Sequence, residues 1–461
     1  MSFNDLRSFL KVLKANGELI EITKPAQLDL EAPAVSAALL KRGGPAPIFT
    51  NLDHPSGIPL VAGVVGSMPR IALAMECALA EVAEKMGHAI DNPVKPVRVE
   101  RGAFMEHVIT GAAVDLASLP IPLHNAGDGG KFITGGVMIS KDPATGRQNY
   151  GYNRLQVKGR NRFAMMMNAW RHIRRFYEAT EATGKPMPVC VAIGLDPRVM
   201  LAAGVRVEYD EIEIAGALRG APMEVAPCAT VPLEAPAFAE ILLEGHVLPG
   251  ERIDEGPLAE FTGHYGEGYQ TPVIEISAIC HRTNPIFQTI IPASFEHVCI
   301  GNVVSREPML KRFVSHVSPN VRGVHLTPYS GGFLAVIQID KQNEGEPKNV
   351  ALAALMTHVN IKMAIVVGTD VDIYDPADVL WAVSTRVDAT RDLFMVPYAQ
   401  GMENDPTTDS LGRQTKVGID ATIAKDKAAD YRRVVYPTVD LSEWTAGVDV
   451  APQRDAPVGV E

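Results

Sequence analysis

Apolar residues recur at helical spacing at the start of the chain. Leu6, Phe9, Leu10 and Leu13 fall on one face, and Gly17 is placed to stop the helix behind them. A second, Ala-rich helix is expected from about Ile71 to Met86 with Gly87 after it, and the apolar run Ile58 to Val65 lies between the two. From about residue 100 to 300 the texture changes. Short β-like runs alternate with Gly and Pro turns, as in Phe132 to Ser140, Val189 to Gly194, Val273 to Cys280 and Ile286 to Ile291. Many short strands broken by turns predict a barrel or sandwich. Beyond 301, helix and strand alternate, and Leu334 to Ile339 and Ala364 to Val367 read as buried strands. Asp375-Pro376-Ala377-Asp378 starts a helix, with Asp375 as N-cap and Pro376 at the first helical position. The expected layout is α/β with an N-terminal domain (1–98), a strand-rich central domain (99–300) and a C-terminal domain with a tail (301–461). Gly447 to Glu461 reads as that tail. At roughly 150 residues per domain the length suits this division.

Composition narrows the class. Apolar residues make up 46% of the 461, enough to build cores, so disorder is not the main state. The net charge of −11 is a poor match for nucleic acid or an anionic membrane surface. No apolar stretch approaches the roughly 18 residues of a membrane span, and the first residues lack the pattern of a signal peptide. The five cysteines, Cys77, Cys190, Cys228, Cys280 and Cys299, are far apart with no CxxC. That favours a reducing cytoplasm without structural zinc or disulfides, with most of the thiols as core fillers. P-loop, HExxH and GxSxG patterns are absent. Gly63-Val64-Val65-Gly66 reads as a strand-to-helix turn, and Asp370, Asp372 and Asp375 as caps and surface.

Three segments carry candidate chemistry. The first runs Asn149-Tyr150-Gly151-Tyr152-Asn153-Arg154-Leu155-Gln156 and leads through a basic stretch to His172. The second is Asp210-Glu211-Ile212-Glu213, leading into Gly216-Ala217-Leu218-Arg219-Gly220-Ala221-Pro222. The third is Glu255-Gly256-Pro257-Leu258-Ala259-Glu260-Phe261-Thr262-Gly263. Taken singly, such Asn, His and Glu residues are most often satisfied polar groups or surface positions. In this order, together, they resemble the UbiD family of reversible decarboxylases. The resemblance runs from about residue 4 to about 435, and Val371 to Ile373 with Asp378 to Arg386 is similar to the family's C-terminal domain.

The resemblance implies a central split β-barrel related to flavin reductases, holding prenylated FMN through its phosphate with Mn²⁺ and K⁺. Asn149, His172 and Glu211 match the metal positions, and an O/N/O set suits a hard cation. Tyr152, Asn153, Arg154, Arg171, His172, Glu211 and Lys362 are the implied cofactor contacts. Tyr152 and Arg154 are two apart, so a strand would face them the same way. Asn153 stands where many members carry an aromatic. Arg171 reads either as a contact to substrate or cofactor or as part of the basic run with Arg174 and Arg175.

Arg154, Glu255 and Glu260 match the family's catalytic trio. Loss of CO₂ from an sp² carbon leaves a carbanion that no ordinary side chain stabilises, so a cofactor must act as electron sink. The implied reaction is reversible, non-oxidative decarboxylation of an aromatic, heteroaromatic or α,β-unsaturated acid through a covalent adduct with prenylated FMN. Glu260 would deliver the proton, while Glu255 stays ionised against Arg154. An apolar pocket and Glu255 would raise the Glu260 pKa and Arg154 would lower it, the two acids titrating as a unit. Phe261, Phe295, His297 and Phe394 are implied pocket walls, and as residues alone they read equally as core. A flavin prenyltransferase would supply the cofactor, and the C-terminal domain would build a homodimer or hexamer. Two other readings are an FMN-dependent reductase, which has no need of the paired acids, and a non-catalytic subunit of a multi-component carboxylase, which typically lacks part of the trio.

Overall fold

The computed structural model describes residues 3–168 and 171–434, together with Pro437 and Trp444. The tail from Gly447 lies outside the described residues. The chain forms two compact units, 1–308 and 309–461. The architecture is mixed α/β.

Helix Leu6–Ala15 buries the four expected residues, Leu6, Phe9, Leu10 and Leu13. Asp5 caps it by accepting the Ser8 N–H at 2.8 Å, and Gly17 follows with φ 73°. The expected second helix is instead two. Met68–Met75 ends where Glu76 turns left-handed at φ 53°, and Val82–Asp91 begins after a short 3-10 turn. Gly87 lies inside the latter helix, where a Cβ would come within 3.3 Å of Pro308, so it serves close packing and not termination. The turn at Gly63–Gly66 does join strand Leu60–Ala62 to helix Met68–Met75.

Strands Leu19–Ile22, Ala46–Phe49, Leu60–Ala62 and Phe287–Thr289 form one sheet in that order. The last strand differs from expectation. The Ile286 to Ile291 run, read with the central strands, supplies a strand to the N-terminal sheet and pairs parallel with Leu60–Ala62. Both strands are buried along their length, as parallel strands covered on both faces are.

The central sheet is antiparallel. Its order is Phe132–Ile133, Leu155–Val157, Arg162–Met165, Tyr269–His281, Ile241–Glu255, Met187–Ile193, Val137–Lys141 and Gln148–Tyr152, with His107–Thr110 also on Tyr269–His281. Register shifts between Glu244 and Gly245 and between Val247 and Arg252 interrupt the long Ile241–Glu255 strand, and such irregularities let a strand bend. Met138, Phe163, Val191, Leu243 and Ile274 of this sheet share one buried cluster with Phe49, Leu60 and Phe287 of the other. The N-terminal and central segments therefore fold around a common core.

The second unit holds a five-stranded sheet, ordered Val321–Leu326, Leu334–Ile339, Met363–Gly368, Arg413–Ala421 and Leu393–Gln400. Asp375 caps helix Pro376–Arg386, accepting the Ala377 N–H at 2.8 Å. Asp370 pairs with Arg386, and Asp372 accepts the Tyr374 N–H at 2.8 Å, so these aspartates serve local structure. Among the described residues no helix is long and apolar enough to cross a membrane.

His124, 3% exposed, lies in the loop before the central sheet and joins it to the N-terminal sheet through the Thr289 hydroxyl at 2.8 Å. Burial pushes its pKa down to about 3. Between that value and the ordinary one near 6.5, the unfolded chain binds a proton that the folded chain refuses, so stability falls as pH drops through this window. At about 1.4 kcal/mol per pH unit, the loss from this group between pH 7 and 5 is about 2 kcal/mol. Urea denaturation at both pH values should show His124→Gln losing about 2 kcal/mol less than the parent. Equal losses would contradict this assignment.

Candidate active site

Strand Gln148–Tyr152 ends two residues short of Arg154, and the next strand begins at Leu155. Arg154 sits in the break, so the same-face argument linking it to Tyr152 does not apply. The Tyr152 hydroxyl donates to the Met200 carbonyl at 3.0 Å, and Asn153 Nδ2 donates to the Met166 carbonyl at 3.1 Å. Arg154 turns to the acids. Its Nε and Nη2 each donate to one oxygen of Glu255 at 2.6 Å, and its Nη1 donates to Glu260. The three side chains are 9%, 0% and 10% exposed. A guanidinium N–H on each oxygen favours the ionised carboxylate, because charge strengthens both bonds and the hydroxyl oxygen of the neutral acid is a weaker acceptor. Burial pushes Glu255 above the ordinary carboxylate range, Arg154 pulls it back, and Glu260 adds to the rise. Burial also opposes the Arg154 charge, but the two acids outweigh it and hold the guanidinium above its usual value.

Glu260 rides on a hairpin in which Leu258–Ala259 pairs with Tyr265–Gly266. Its N–H donates to the His264 carbonyl at 2.8 Å, and its carbonyl accepts the Gly263 N–H at 2.9 Å. Gln156, 1% exposed, fastens the hairpin to the sheet: its Nε2 donates to the Gly129 carbonyl at 2.6 Å and its Oε1 accepts the Gly256 N–H at 2.7 Å. Asp128 accepts the Ala259 N–H at 3.1 Å, with burial raising its pKa. Gly129 and Gly256 meet backbone to backbone, since a Cβ on Gly129 would lie 2.6 Å from the Gly256 Cα.

Asn149, His172 and Glu211 also converge. They come from the edge strand, the first residue of helix His172–Glu181 and the residue before helix Ile212–Arg219. His172 Nδ1 lies 3.0 Å from Asn149 Oδ1 and 3.9 Å from Glu211 Oε1. Glu211 Oε2 accepts the Tyr150 N–H at 2.8 Å, which turns the other oxygen to the histidine. Burial pushes Glu211 up to about 8 and Asp210 up to about 6. Among the described residues no cluster of three or more His, Cys, Asp or Glu side chains suits a metal. This set has two of those types and completes itself with an amide oxygen, and its three lone-pair donors fit a hard divalent cation.

A cleft is lined by Asn149, Tyr152, Asn153, Arg171, His172, Glu211 and Arg206 among others. Its cationic side is crowded. Burial and then Arg206 push Arg171 below its usual value, and burial and then Arg171 push Arg306 to about 9. The first turn of helix His172–Glu181 opens at this cleft, and helix N-termini favour anions.

Phe261 and His297 meet edge to face with ring centres 6.2 Å apart, and Phe295 opens the same short helix, Phe295–Val298, that carries His297. Phe394 and Lys362 lie in the second unit. Phe394 sits on strand Leu393–Gln400 over Gly418, with Lys348 Nζ 5.3 Å from its ring. Lys362 Nζ donates to Asp405 at 2.9 Å and Thr407 at 2.5 Å.

Comparison with known proteins settles the lineage. The sequence matches the UbiD family's 3-octaprenyl-4-hydroxybenzoate carboxy-lyase Rift-related domain over residues 95–295. It also matches that family's N-terminal domain over 10–90 and its C-terminal domain over 301–421. The chain belongs to the UbiD family. It is 36% identical over 390 residues to the anhydromevalonate phosphate decarboxylase of Methanothermobacter thermautotrophicus, covering 84% of this chain and 90% of that one. It is 32% identical to the phenolic acid decarboxylase of Streptomyces sp. strain D7, covering 97% and 98% of the two chains. The UbiD-class enzyme HmfF from Pelotomaculum thermopropionicum, solved in complex with FMN, superposes with a TM-score of 0.91 at 37% identity over 95% of this chain and 100% of HmfF. This UbiD member is accordingly a decarboxylase.

Sequence reasoning missed four parts of this UbiD site. Gln156 stands inside the first motif but gave no sign of its two backbone partners. The Gly129–Gly256 contact joins residues over a hundred apart, hinted at only by the Asp128-Gly129-Gly130 run. Arg206 and Glu208 precede the acidic run that was singled out. Gly129→Ala should force the hairpin from the sheet and misplace Glu260, lowering decarboxylation by about 100-fold while the circular dichroism spectrum is retained. Undiminished turnover would show that the contact does not set the acid's position.

Proposed function

We propose that the cleft binds prenylated FMN and that the enzyme reversibly removes CO₂ from an aromatic, heteroaromatic or α,β-unsaturated carboxylic acid. The observation that carries this reading is the buried trio, in which Arg154 holds Glu255 by two arms and Glu260 by one. The solved relatives support the cofactor, since HmfF was solved with FMN and an evolved dimeric form of it with prenylated FMN. When bound, prenylated FMN supplies the electron sink for the pair left by departing CO₂. The protein does the rest. Glu255 stays ionised in its paired grip and holds Arg154 still. Arg154 Nη1 sets the place of Glu260, which delivers a proton to carbon and takes a fresh one from solvent water for the next turnover. Asn149, His172 and Glu211 would hold Mn²⁺, and K⁺ would be the second cation of the site. Tyr152, Asn153 and Arg171 face the cofactor from the cleft wall, and the family resemblance assigns Lys362 to the cofactor as well. Phe261, Phe295 and His297 are the substrate walls in this reading, their planar faces suiting a planar acid, and the family resemblance adds Phe394.

In this reading the central sheet is the split barrel of a flavin-reductase relative. The segments 1–98, 99–300 and 301–461 are its three domains, and the last drives homo-oligomerisation. The enzyme works in the cytoplasm beside a flavin prenyltransferase. The reductase alternative keeps the flavin but leaves the paired acids without a task.

Coexpression with a flavin prenyltransferase, followed by an absorbance spectrum and a screen of aromatic and acrylic acids for CO₂ release, tests the reading. Glu260→Gln should keep the cofactor absorbance and slow CO₂ release by at least about 100-fold. Full activity in that variant would favour the reductase.

A further inference from the structure

We infer that Glu208 is a positioning residue that fixes the tautomer of His172 and thereby opens the Asn149–His172–Glu211 site to a cation. The inference rests on the cation reading above. A neutral imidazole has one N–H and one lone pair. Both ring nitrogens of His172 face oxygens: Nδ1 has Asn149 Oδ1 at 3.0 Å and Glu211 Oε1 at 3.9 Å, while Nε2 has Glu208 Oε1 at 3.1 Å. The ring's proton can serve only one side. On Nδ1 it would fill the space where the other two donor atoms converge. On Nε2 it makes a charge-assisted hydrogen bond to Glu208 and leaves three lone pairs pointing together.

Glu208 is built to hold that proton. Its other oxygen accepts from Arg147 Nη1 at 3.1 Å, with Arg175 Nη2 at 4.0 Å. It does not line the cleft, so it acts through His172 and not as a ligand. Its side chain is 70% exposed, and such a pair adds little to folding stability. Choosing between two tautomers of one ring asks far less of it. Carboxylates behind metal-bound histidines commonly have this role, and losing one typically weakens metal binding about 10- to 100-fold.

The test uses the full chain loaded with FMN. Mn²⁺ is titrated in and the free ion read by electron paramagnetic resonance. Wild type should bind Mn²⁺, and Glu208→Ala should bind it about 10- to 100-fold more weakly. Glu208→Gln, which can accept from Nε2 or donate to it, should fall between. Nitrogen-15 spectra of histidine-labelled protein, with His172→Gln for assignment, should show the proton on Nε2 in wild type and a mixture in Glu208→Ala. Wild type that holds neither FMN nor Mn²⁺ overturns the cofactor and cation reading itself. Wild type that binds Mn²⁺, with both variants matching its affinity and tautomer, overturns the role of Glu208 alone.

Discussion

Two carboxylates and one guanidinium are withdrawn from water together in this protein, and much of the surrounding structure follows from making that tolerable. Each buried ion costs several kcal/mol in lost hydration, and only close, well-directed pairing offsets it. Arg154 has five N–H groups in a rigid fork, which is why it can face two acids at once. The strand break at 153–154 swings the fork out of the sheet, and the end of strand Ile241–Glu255 brings one acid to it. The other acid must arrive on a hairpin that Gln156, Asp128 and the Gly129–Gly256 contact press into place. In the proposed mechanism the asymmetry of the grip divides the labour: two arms hold Glu255 as a charge, and the single arm on Glu260 makes it the member whose proton moves.

The legible parts of the fold were the local ones. The first helix and its apolar face, the caps at Asp5 and Asp375 and the turn at Gly63 depend on residues within a few positions of one another. The composite motif was legible too, because its three segments each keep chemistry-bearing residues at fixed short spacing. What stayed hidden depends on distant partners. Ile286 to Ile291 is a plain apolar run, and only Leu60–Ala62 decides which sheet receives its strand. The Ala-rich stretch from Ile71 to Met86 has helical composition throughout, yet the left-handed turn at Glu76 divides it. Gln156 looks like any polar strand residue until its two backbone partners are known.

Charge behaves differently at the cleft than over the whole chain. A net −11 would repel a phosphate group, but Arg171 and Arg206 line the cleft with Arg306 close to Arg171, and the opening turn of helix His172–Glu181 adds its own positive end. Asn149, His172 and Glu211 of the same cleft offer lone pairs. In the proposed reading such a cleft suits an anion and a metal ion bound as a pair, each lowering the cost of the other.

The shared core bears on specificity. Glu296 is fully buried between Phe295 and His297, and its two oxygens accept the Gly63 and Val65 N–H groups at 3.1 and 2.9 Å. Burial lifts its pKa to about 7, while those two amides and Arg70 pull the other way. One N–H on each oxygen favours the carboxylate, whose charge strengthens both bonds. The helix that presents Phe295 and His297 is thus tied to a turn of the N-terminal segment, and strand Phe287–Thr289 ties the residues before it to the N-terminal sheet. If Phe295 and His297 wall the substrate as proposed, the packing of that sheet bears on the wall without any substitution in the wall itself. Sequence boundaries near 98 and 300 separate family segments, but the common core crosses the first of them.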